Sequence, residues 1–177
     1  MSIFRDIKRK IKRIYLRFIT LKGDPKHLAF SLSVGIFVGM MPIMPFQTIL
    51  ALFLAFIFRA NKIAAFLGTL ISNPLNLYFV YLWSYQIGTF LLGRPYESTV
   101  INRIRVIIYD NIDEPIDLLK SLTELGGEII SALLIGGIVL ALIVAIPSYF
   151  FLKFILAYIQ KWRINRKYRN RNDTPEL

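Results

Sequence analysis

A chain of 177 residues with a net charge of +11 and 55% hydrophobic content has a mean hydropathy of +0.54. That balance excludes most soluble domains of this size, because the apolar runs 28–58, 63–92 and 129–152 each exceed the roughly 20 residues that cross a hydrocarbon core. With no cysteine and only His27 as histidine, a disulfide framework, thiol chemistry and a thiolate metal site are excluded, and zinc or triad chemistry within one subunit is not expected.

The expected fold is an all-α integral membrane protein: a proline-broken re-entrant hairpin, a broken and a continuous transmembrane helix, and amphipathic surface helices. Charge is segregated along it. Residues 1–26 hold nine Lys/Arg and residues 161–171 hold six, whereas residues 97–128 hold seven carboxylates against three basic residues. A nucleic-acid binder would not divide its charge around apolar runs in this way, so nucleic acid is not an expected partner. Membrane lipids with anionic head groups are. Basic ends belong on the cytoplasmic side, so both termini are expected there. No metal and no cofactor is expected, and no cleavable secretory signal is evident.

Segment 1–24 opens the chain. Ile3, Ile7, Ile11, Ile14 and Phe18 fall on one helical face and Arg5, Lys8, Arg9, Lys12 and Arg13 largely on others, which predicts a basic amphipathic helix lying on an anionic membrane surface. Asp24 before Pro25 reads as an N-cap followed by a first-turn proline.

Segment 25–93 is the broken-helix core. Pro42 and Pro45 interrupt the first run. Its arms, 28–41 and 46–58, each reach about 20 Å at 1.5 Å per residue, short of a core of about 30 Å. The unit is therefore either a re-entrant hairpin or a kinked span. Asn73-Pro74 breaks the second run into a short arm, 63–72, and a longer one, 75–92. A re-entrant first unit keeps Arg59 and Lys62 inside and lets the second unit cross outward. Segment 94–128, acidic and amphipathic, then lies outside, and the transmembrane helix 129–160 returns to the basic tail 161–177.

In the acidic segment, Ile101, Ile104, Ile107 and Ile108 form one apolar stripe, and Ile112, Ile116 and Leu119 a second. Asp110, Asp113, Glu114 and Asp117 have the spacing of a divalent-cation patch and equally of a solvated helix face. Small residues also recur every fourth position: Ser31/Gly35/Gly39, Ala60/Ala64/Gly68/Ser72 and Gly137/Ala141/Ala145. Such stripes let membrane helices approach closely. The first two are expected to pack within the chain, and the third is the better candidate for a homo-oligomer contact.

Polar residues gather at the breaks: Gln47 and Thr48 after the first, Ser72, Asn73 and Asn76 around the second, with Arg59 and Asn61 in the connection. They are candidates for binding a ligand or for capping the broken helices. Paired broken segments point to a transporter, channel or lipid translocator with an anion or phosphate site. Capping alone also explains the same residues, and a scaffold or adaptor at an anionic membrane surface is the favoured expectation. With no glycine-rich phosphate loop, nucleophile elbow or acid in the apolar core, an enzyme is not expected.

The pieces Gly35-x-x-x-Gly39 with Pro42, Phe46-Gln47-Thr48, Arg59-x-Asn61, Gly68-Thr69, Ser72-Asn73-Pro74-Leu75, Tyr85 and Gly88 share order and spacing with a known family. Over residues 25–93 the chain resembles the bacterial domain-of-unknown-function family DUF2062. The resemblance implies a small bacterial inner-membrane protein, of a kind also found attached to glycosyltransferase-like domains in cell-envelope synthesis. It implies no known activity. The chain departs from the family at Asn76 and Leu77-Tyr78, where a threonine and a second proline are frequent, and at Met44-Pro45, where glycine is frequent.

Overall fold

The computed structural model describes residues 24–44, 46–71, 74–111 and 114–172. The expected helix over 3–18 and residues Pro45, Ser72, Asn73, Ile112 and Asp113 lie outside them. Every element among the described residues is helical: α1 (Pro25–Gly39), α2 (Gln47–Ile57), α3 (Lys62–Thr69), α4 (Pro74–Leu91), α5 (Ser98–Asp110), α6 (Pro115–Thr123) and α7 (Gly127–Asn172).

Pro25 starts α1 with its fixed φ, and the Asp24 carbonyl accepts the Leu28 N–H at 3.0 Å. Asp24 occupies the N-cap position, but its side chain caps nothing. The helix stops before Pro42, which lacks an N–H and disfavours helical geometry at the residue before it. Two tight backbone bonds carry the turn: Ile43 N–H to Met41 O at 2.9 Å and Phe46 N–H to Ile43 O at 2.8 Å.

The chain then comes back. The Phe30 and Phe58 rings meet edge to face with centroids 6.0 Å apart, and His27 Nε2–H donates to the Arg59 carbonyl at 2.9 Å. Thus α1 and α2 form a hairpin whose two ends lie together.

From there α3 runs parallel to α1. Asn61 lies beside Ser31, Gly35 beside Ala65 and Gly68, and Gly39 beside Thr69. A Cβ on Gly35 or Gly68 would overlap the facing backbone, so the first two small-residue stripes do pack against each other. Past the second break, α4 brings Ser84 to the level of Pro42, where both meet Gly137.

Helix α7 runs opposite to both. Gly136 lies on Ser84 and Ala132 on Gly88. Farther along, Tyr149, Leu152 and Leu156 pack with Leu28, Leu32 and Ala64. α3 and α4 therefore run in the same direction, and α7 packs lengthwise against α1 and α4.

The third stripe is corrected by this arrangement. Gly137 faces the Pro42 ring, and Ala141 and Ala145 are buried, so the small residues admit neighbours of the same chain rather than a second copy.

A cap of α5 and α6 covers α4 and the start of α7. Ile101, Ile104 and Ile108 are buried as expected, with Ile107 packed beside them. The second acidic-segment stripe is shifted, since Leu118 and Leu122 are buried and Ile116 is 66% exposed. The reason is local: Pro115 restarts a helix at its first turn, which resets the phase expected from continuous periodicity.

Helix α7 continues through the boundary at 160/161 to Asn172, with Pro147 inside it. Its stretch Gly127–Trp162 is long and apolar enough to cross a membrane, and it alone among the described helices passes that test. Large apolar side chains also face outward elsewhere. Ile49, Phe53 and Phe56 do so on α2, Phe79, Trp83 and Phe90 on α4, and Ile143, Phe150 and Phe154 on α7.

Candidate functional site

The candidate residues do not converge. Arg59 and Asn61 sit at the open end of the α1–α2 hairpin, whereas Gln47, Thr48, Asn76 and Pro42 lie near the breaks. α3 separates the two groups by about 12 Å, its eight residues at 1.5 Å each.

At the open end, hydrogen bonds form a stitched loop. The Asn61 N–H donates to Ser31 Oγ at 2.8 Å, and that hydroxyl donates to the His27 carbonyl at 2.7 Å. Asn61 Oδ1 accepts the Ala64 N–H at 3.0 Å, which makes Asn61 the N-cap of α3. Arg59 ends α2 in the left-handed region, with φ 51°. The Ala60 N–H reaches back to Ala55 O at 2.8 Å and the Arg59 N–H to Phe56 O at 3.2 Å, the bonding of a Schellman cap in which glycine usually holds Arg59's place. Its side chain is exposed.

At the breaks the polar groups act locally. Asn76 Nδ2 donates to the Ile71 carbonyl at 2.8 Å, satisfying an acceptor that the end of α3 leaves open. Gln47 and Thr48 open α2 half-buried. Gln47 reaches none of the described carbonyls released near Pro42, which the turn itself accommodates. Pro42 is buried in the notch at Gly137. Pro74 is the first residue of α4.

Two residues that the break pattern does not point to are the most unusual in the core. Tyr81 and Ser84 are fully buried, and neither hydroxyl has a hydrogen-bond partner at standard geometry. Tyr81 lies alongside the Met44 main chain and lines a cavity of about 140 Å³ with Pro42, Ile43 and Phe46 of the first break. The sequence carries no signal that singles them out, because the same helix also holds Asn76, Tyr78, Tyr85, Gln86 and Thr89.

A second polar cluster lies at the opposite end. Arg94 Nη1 donates to the Glu128 carbonyl at 2.7 Å and to Ser131 Oγ at 2.9 Å, pinning the α4–α5 connection to the start of α7. Nearby on α6, Asp117 accepts from Lys120 Nζ at 3.0 Å. That hydrogen bond holds the Asp117 carboxyl below its ordinary range. Among the described residues no three His, Cys, Asp or Glu side chains converge on a metal position.

Comparison with curated proteins and with solved structures gives no match. The family profile described as "Uncharacterized protein conserved in bacteria (DUF2062)" matches residues 8–165, well beyond the 25–93 stretch that carries the resemblance. The chain belongs to the DUF2062 family.

Proposed function

We propose that this protein is a multi-pass scaffold or adaptor of the bacterial inner membrane, linked to cell-envelope synthesis. α1–α2 is its re-entrant hairpin, α3–α4 its broken outward crossing and α7 its return. The observation that carries this reading is that the described helix breaks are closed from within. Asn61 and Asn76 cap their own neighbourhoods, Pro42 fills the Gly137 notch, and the glycines bring the helix backbones into direct contact.

The outward-facing phenylalanines and isoleucines suit lipid contact. Lys26, Arg59, Lys62 and Lys153 stand at the end where α1 begins, and Glu97, Asp110, Glu114, Asp117, Glu124 and Glu128, in and beside α5 and α6, outnumber Arg103, Arg105 and Lys120 at the other. This is the charge asymmetry of a cytoplasmic and an outer face. On this reading the protein performs no catalysis, and anionic head groups are its lipid partners.

The unpartnered hydroxyls of Tyr81 and Ser84 beside the first break favour a second reading, a translocator with a polar site at that level. Proteoliposome flux separates the two. A scaffold moves no labelled phosphate, anion or phospholipid above empty vesicles. Flux that Ser84→Ala abolishes without lowering Tm would establish the translocator instead.

A further inference from the structure

An apolar groove of about 550 Å³ opens on the outside of the bundle between α1, α2 and α7, and Phe30, Phe37, Leu54, Phe58, Leu142 and Phe150 are among the residues that line it. From Phe30 to Phe37 it extends about 10 Å, and from Leu142 to Phe150 about 12 Å, at 1.5 Å per residue. One leaflet of a hydrocarbon core is about 15 Å deep, so the groove occupies most of one leaflet.

Its mouth is basic. Lys26 precedes Phe30 by four residues and Lys153 follows Phe150 by three, spacings that put each on the groove's face one helical turn outward. Arg59 directly follows Phe58. Among the described residues none of these three cations has a carboxylate partner, and the one ion pair, Lys120–Asp117, is at the far end. Arg59 also holds a left-handed backbone conformation that glycine would adopt without cost. A cation stands there against the backbone's preference.

We propose that this groove is a binding site for one anionic glycerophospholipid of the cytoplasmic leaflet. An acyl chain lies along α1 and α7, and the phosphate is held by Lys26, Arg59 and Lys153. Guanidinium and ammonium donors suit a phosphate oxygen through charge-assisted hydrogen bonds. A second copy of the chain fits less well. Copies inserted in one orientation would bring their own three cations to the same mouth, and like charges repel in a medium of reduced dielectric. The proposal rests on the membrane orientation given above.

The test uses the purified full chain in detergent, titrated with phosphatidylglycerol, with phosphatidylcholine of the same acyl chains, and with inorganic phosphate, reading Tm. Phosphatidylglycerol is expected to raise Tm saturably with an apparent affinity more than tenfold above that for phosphatidylcholine, and phosphate alone to do nothing at equal concentration. In Lys26→Gln, Arg59→Gln and Lys153→Gln the preference falls about fivefold for each cation removed. Leu54→Trp, which fills the groove, weakens both lipids.

Equal response to the two lipids, an undiminished preference in the triple variant, or dimerisation that Leu54→Trp abolishes would each overturn the site. If Leu54→Trp fails to fold, the charge variants decide. Anion flux together with retained lipid preference sinks the scaffold reading and leaves the lipid site standing. No flux and no preference does the reverse.

Discussion

At the scale of single residues, the buried hydroxyls of Tyr81 and Ser84 set the sharpest test of the interior. An unsatisfied buried polar group costs about 1–3 kcal/mol. Tyr81→Phe is therefore expected to leave Tm unchanged or raise stability by about 1 kcal/mol. A loss of similar size would show that the cavity at the first break holds a bonding partner for that hydroxyl.

The residues that end helices were legible in the sequence for a physical reason. Proline removes a donor wherever it stands, and Asn61 or Asn76 can cap using neighbours within a few positions. Tyr81 was not legible, because a phenol in an apolar run looks the same at a wet interface and in a dry core. Its surroundings come from Pro42, Ile43, Met44 and Phe46 and from α7, far away along the chain. The His27–Arg59 bond was hidden likewise, since 32 residues separate its partners.

At the scale of elements, close backbone approach governs the α1–α3 and α4–α7 contacts. A Cβ on Gly136 would overlap the Ser84 carbonyl, whereas one on Gly127 would meet nothing. Gly136→Ala is expected to cost about 3 kcal/mol, the upper range for overpacking, with Gly127→Ala near neutral. Thermal unfolding of both variants in one detergent gives the comparison.

Periodicity had located the stripes but not their partners: small residues mark a close approach without naming what approaches. It also set the second acidic stripe at Ile112, Ile116 and Leu119, whereas the helix that Pro115 starts buries Leu118 and Leu122.

The α6 pair carries a pH dependence. Lys120 lowers the folded-state pKa of Asp117 below 3.8, so its stabilisation is present above the unfolded pKa and is lost as pH falls through the folded one. Because the pair is exposed, the effect is small and screened by salt. Amide exchange in α6 should be slower in the wild type than in Asp117→Asn at neutral pH. The two should converge at the acid end.

At the scale of the whole molecule, charge placement and the two breaks together led to the expectation of a re-entrant hairpin with a broken crossing beside it; the fold shows α1 and α2 as a helical hairpin, and their membrane orientation is a matter for experiment. Membrane orientation can be read directly in this cysteine-free chain. Lys62→Cys should react with an impermeant thiol reagent only from the cytoplasmic side, and Glu97→Cys only from outside. Outside labelling of position 62 would place the hairpin's open end on the wrong face.

The unbroken run of α7 has a consequence of its own. Nineteen helical residues follow Lys153 and end at Asn172, a standoff of about 28 Å. Physiological salt screens charge over about 8 Å. On the proposed orientation, then, Lys153 lies within electrostatic range of the lipid surface, while Lys161, about 12 Å farther along, and the tip of the helix stand beyond it. On that orientation one rod carries the chain from the charged surface of the bilayer to a point beyond the reach of the lipid charge.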